Sequence, residues 1–70
     1  MDFQTKAEIR MKHWLAHNEE HLEEYEQFAE QMETAGLKAS AGHIRDMIAW
    51  AAKSNNCLRE ALNTMPGMLE

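Results

Sequence analysis

The 70-residue chain has little of what usually staples a small protein. One cysteine excludes an internal disulfide. One proline and three glycines leave few places to interrupt a helix, and neither residue occurs before Gly36. No apolar run approaches the roughly 20 residues of a membrane span. No basic-then-apolar start resembles a signal peptide, and with a lone cysteine the cytoplasm is the expected compartment. Bases are scarce. Lys and Arg number 7 against 12 Asp and Glu, for a net charge of −5, which disfavours nucleic acid as a partner. A glycine-rich phosphate loop, a nucleophile elbow and a Cys-x-x-Cys pair are all missing, so neither an enzyme nor an organic cofactor is expected.

What is present reads as one small folded domain over residues 1–70. The hydrophobic fraction of 44% is too high for compositional disorder. A chain this short buries little surface alone, so it needs metal, self-association or unusually good helix packing. Charge is uneven. Residues 1–35 hold nine acids against Lys6, Arg10 and Lys12, net −6, whereas residues 36–70 hold three acids and four bases, net +1.

Apolar residues recur with helical period and no strand alternation. With Met11 at the first position of a heptad, Met11, Asn18, Tyr25 and Met32 share one row. Trp14, His21 and Phe28 form a second, and Leu15, Leu22 and Ala29 a third. The spacing predicts a helix over about 3–34, capped by Asp2. Its apolar stripe is wider than one partner helix covers. Gly36 suits the left-handed residue after a helix, giving a turn over about 35–38 with Leu37 folding back. A second helix follows over about 39–64, with Ser40 as an alternative cap. Leu37, Ile44, Ala51, Leu58 and Met65 form one row of it, and Ala41, Ile48, Asn55 and Leu62 the next. Pro66 and Gly67 end it before a loose tail over 65–70. The expected fold is therefore all-α, an antiparallel helical hairpin. The wide stripe predicts a homodimer forming a four-helix bundle, with Trp50 off the seam as an anchor.

A hairpin turning near Gly36 sets opposite one another residues whose numbers add to about 73. Asn18 then falls opposite Asn55, where the two amides can hydrogen-bond and fix register. Cys57 falls opposite Ala16, within reach of His13 or His17. His43 lies near the turn.

Chemistry concentrates in His13-Trp14-Leu15-Ala16-His17-Asn18-Glu19-Glu20-His21. Histidines four apart on a helix project to one side and can share a metal ion. His13, His17 and His21, with Cys57 as a fourth candidate, suit nickel, zinc or cobalt. Glu20 and Glu24 run alongside. The same stretch matches H-x-x-E-H, an inverted zinc-protease pattern, but two helices provide neither a substrate cleft nor an oxyanion-stabilising group. Glu-x-x-His, which a carboxylate-bridged di-iron site needs, is absent from both helices.

This segment, with Glu23-Glu24-Tyr25 and Phe28-Ala29, resembles a poorly characterised small helical domain of bacteria and archaea. Its core reads H-W-[IL]-x-H-N-x-x-H, and it is loosely associated with nickel- and cobalt-handling proteins. The resemblance covers residues 9 to 32, with Leu22 where a smaller residue is usual. It implies a metal-linked role for His13, His17 and His21, a metal-handling partner, and packing roles for Trp14 and Asn18. The expected function is a cytosolic metal-binding accessory protein. The alternative is a structural or protein-interaction module that dimerises without metal.

Overall fold

A computed structural model describes residues 2–66. Two helices account for nearly all of them: α1 over Phe3–Thr34 and α2 over Lys38–Asn63, packed as an antiparallel hairpin. No strand occurs among the described residues. The end of the expected loose tail, with Gly67, lies outside them.

Asp2 starts α1, its Oδ1 accepting the Thr5 amide at 2.8 Å. That bond satisfies one of the amides left free at a helix start. The backbone amide of Thr5 holds the Asp2 carboxyl below its ordinary range.

The turn is built on Gly36, whose φ is +87°. There the Gly36 amide donates to the Glu33 carbonyl at 3.0 Å and the Leu37 amide to that of Met32 at 2.9 Å. This is the paired arrangement that closes a helix through a left-handed residue, and a side chain at Gly36 would strain it. Leu37 rather than Ser40 is the residue at the start of α2, and it gives no side-chain cap. The closing bonds leave only Ala35–Leu37 between the helices, so α2 begins as soon as the backbone leaves the turn.

The enclosed centre is thin. Ala29 and Ala41 are wholly inaccessible, Leu62 and Asn55 nearly so, and among the described residues no large side chain is fully buried. Ala41, Asn55 and Leu62 belong to the row that also holds Ile48, as the spacing predicts. Met11, Leu15, Leu22, Met32, Ile44, Ile48 and Leu58 are half-buried along the seam. The result is a rod with extents of 51 × 17 × 16 Å and a radius of gyration of 16.0 Å. A compact chain of this length would have a radius of roughly 11 Å.

The two long sides of the rod differ. On one, Arg45 of α2 pairs with Glu26 at 3.5 Å and with Glu33, and Arg59 pairs with Glu19 at 3.2 Å. Glu19, Glu26 and Glu33 recur every seven residues, so these pairs fall on a single edge. Glu33, chiefly as hydrogen-bond acceptor, makes the Arg45 guanidinium hold its proton even more tightly. On the other side, Trp14 and Phe28 lie seven residues before and after His21. Trp14 is 50% exposed, Phe28 54% and Met47 41%. Trp50, 69% exposed and five residues before buried Asn55, lies about 140° round α2 from it, on the outer face. Lys53 covers Trp50 in part, its ammonium 4.6 Å from the ring centre. None of the described helices is long and apolar enough to cross a membrane.

Candidate metal centre

The unbroken geometry of α1 sets the histidines in a ladder. Ring centres of His13 and His17 lie 5.7 Å apart and those of His17 and His21 4.8 Å apart. Tyr25 continues the ladder, stacked on His21 at 6.0 Å and 12°. A step of four residues turns a helix by slightly more than one full turn. The ladder therefore drifts round α1, from open solvent at His13 to the edge of the seam at His21 and Tyr25. His13 and His17 are exposed and His21 is half-buried.

Among these rings, His21 has a carboxylate partner. Its Nδ1 lies 3.2 Å from Glu24 Oε2. An ionised carboxylate only accepts, so Nδ1 is the donor in this contact, and in the neutral ring that tautomer leaves the lone pair on Nε2. Carboxylates orient metal-ligating histidines in this way. Two imidazoles on one tetrahedral ion, with metal–nitrogen bonds of about 2.0–2.1 Å, hold their ring centres roughly 5 Å apart. The His17–His21 step matches that figure better than the His13–His17 step.

One chain does not gather a full ligand set. Among the described residues, no three His, Cys, Asp or Glu side chains are grouped to hold a metal ion. Cys57 does not complete one with His13 and His17: its thiol is free and exposed. It lies two residues beyond buried Asn55, which places it about 200° round α2 and away from the seam. Opposition along the rod sets the level of a residue, whereas rotation about the helix decides where its side chain goes. His43 is exposed near the turn and apart from the ladder.

Beside His21 is a cleft of about 150 Å³ lined by Asn18, His21, Leu22, Tyr25, Ala51, Ser54 and Asn55. Asn18 and Asn55 meet there, at the level the spacing predicts. The expected amide–amide bond does not form, because the Asn55 Nδ2 is buried with no partner while Asn18 stays exposed. This cleft went unnoticed in the sequence, although the four-residue step from His21 to Tyr25 leads straight to it.

The family described as "Domain of unknown function (DUF8180)" matches the chain over residues 7–65. That span covers the histidine ladder, the turn and α2. No curated protein and no solved structure matches the chain.

Proposed function

This chain belongs to the DUF8180 family, and we propose that it is a cytosolic, self-associating helical hairpin that binds a transition-metal ion through the histidine ladder of α1. The supporting observation is His21, with its Nδ1 3.2 Å from Glu24 Oε2 and its ring centre 4.8 Å from that of His17, one turn away. Nickel, zinc and cobalt all accept imidazole nitrogen. The role is accessory, holding or passing on an ion with a metal-handling partner. Calorimetric titration with nickel and zinc tests it. Wild type takes up metal and the His17→Ala, His21→Ala double variant does not. Equal heats from both would overturn the reading.

A second reading has its own support. With three buried apolar residues, none of them large and aromatic, the hairpin lacks a core of its own. The exposed side carrying Trp14, Phe28 and Met47 suits a dimerisation module that folds into a four-helix bundle with or without metal. The same titration, run with sedimentation alongside, separates the two readings: a dimer that takes up neither nickel nor zinc favours the second.

A further inference from the structure

We infer that a second copy of this chain packs antiparallel along the side of α1 that carries Trp14 and Phe28, and that Phe28 of each copy fills a cleft at the basic end of α1 in the other. The inference rests on the self-association proposed above and is independent of metal.

The hairpin itself leaves this cleft open. Helix α2 ends at Asn63, level with about residue 10, so about two turns of α1 extend past it. There Phe3, Lys6, Ala7, Arg10, Met11 and Trp14 line a cleft of about 330 Å³. Its rim is apolar, with Phe3 84% exposed. Ala7, Arg10, Met11 and Trp14 have the spacing of the four-residue hole that takes one side chain of a facing helix. The small side chain of Ala7 leaves room in it for a ring.

The chain carries a side chain to fill it. Phe28 is exposed on the same side of α1 as Trp14. Centring Phe28 of an antiparallel copy on the hole sets opposite one another residues whose numbers add to about 38. That register lies within about one residue of the one at which two copies of Phe3–Thr34 overlap from end to end. A two-fold repeats the contact, so both Phe28 rings are seated at once. The overhanging Phe3 then comes level with the turn of the copy, beside Ala35 and Leu37, the latter 53% exposed.

Charge sets the direction. Of the bases near the start of α1, Lys12 pairs with Glu8 at 3.7 Å. Lys6 and Arg10 have no ion pair among the described residues. The antiparallel copy brings alongside them its stretch Glu24–Glu33, which holds four acids and no base. A copy running in the same direction would set basic end against basic end and acidic run against acidic run. It would also hold Phe28 away from the cleft by most of the length of α1.

The area is right for a second copy. The chain exposes 5406 Å², where a compact monomer of 8.1 kDa would expose roughly 4,500 Å². The excess of roughly 900 Å² matches the roughly 800 Å² that each partner buries in a standard interface.

Sedimentation equilibrium of the full chain in EDTA tests the inference. Wild type is expected to be a dimer, and Phe28→Ala to associate about 30-fold more weakly. Gln27→Ala, on the outer face of α1, matches wild type, and circular dichroism shows both variants folded. Register is read by cross-linking in a Cys57→Ser background. Phe3→Cys and Ala35→Cys together form a covalent dimer under mild oxidation, because each cysteine meets the other across the interface. Either substitution alone forms none, since like positions of the two copies lie at opposite ends of the 51 Å rod. Cross-linking by Phe3→Cys alone would show a copy running in the same direction. A dimer that Phe28→Ala leaves at full strength would put the contact elsewhere. Both results would overturn the inference and leave self-association in place. A monomer at high micromolar concentration, its cleft left to the chain's own residues 67–70 or to another protein, would overturn the inference and self-association together.

Discussion

The Leu37 amide reaches back to the Met32 carbonyl at 2.9 Å, and it does so because Gly36 between them sits at φ +87°. Nothing lies within 4 Å of where a Cβ at Gly36 would stand, so a substitution there meets backbone strain and no clash. Gly42, inside α2, has equally open surroundings and no positive φ. The two glycines should respond oppositely to alanine. Gly36→Ala should destabilise by about 1–2 kcal/mol, and Gly42→Ala should stabilise by about 1 kcal/mol. Urea unfolding of both variants checks the signs.

Asn55 carries the clearest internal cost. It is 4% exposed and its Nδ2 has no partner. Replacing an unsatisfied buried amide by an apolar side chain of similar size removes a desolvation cost of about 1–3 kcal/mol. Asn55→Leu should therefore raise stability by about that amount, and a lowered urea midpoint would show that the amide is satisfied in solution.

Trp50 should anchor the proposed self-association. Its ring is large and exposed, off the hairpin seam. Truncating a central aromatic anchor costs about 2 kcal/mol or more of association energy, roughly a 30-fold loss of affinity. Sedimentation equilibrium should show that loss for Trp50→Ala and none for Gln31→Ala, on the outer face of α1. Lys53 makes a poor control, since its ammonium lies on the Trp50 ring.

The cap at Asp2 predicts a pH dependence. Its carboxyl is held below the ordinary 3.8 by the Thr5 amide. A carboxyl with a lowered folded pKa contributes stability that is whole above its unfolded value and lost as pH falls through the folded one. Protection of the Thr5 amide against hydrogen exchange should thus be greater in wild type than in Asp2→Ala at neutral pH. The difference should close in strong acid.

Much of the hairpin was legible because two rules act over short range. Uninterrupted seven-residue rows specify helices, and Gly36 specifies where the chain can turn left-handed. Those two facts also put Asn18 and Asn55 at one level. Rotation about each helix was harder to read. Cys57 lies level with the histidines yet projects the other way, and Ser40 was passed over because the turn hands directly into α2. The sidedness of the ion pairs was latent in the seven-residue repeat of Glu19, Glu26 and Glu33. It emerged only once Arg45 and Arg59 could be placed on the same edge.

The unlike long sides of the rod bear on growth. Chains that are adhesive on two faces add copy after copy and end as fibres, whereas a chain adhesive on one face stops when that face meets its own image. Here Arg45 and Arg59 pair with Glu19, Glu26 and Glu33 along one edge, so a charged edge backs the side that exposes Trp14 and Phe28. Clearing that edge with Arg45→Leu and Glu26→Leu together would give the rod a second adhesive face, so that a chain proposed to stop at two copies would instead polymerise.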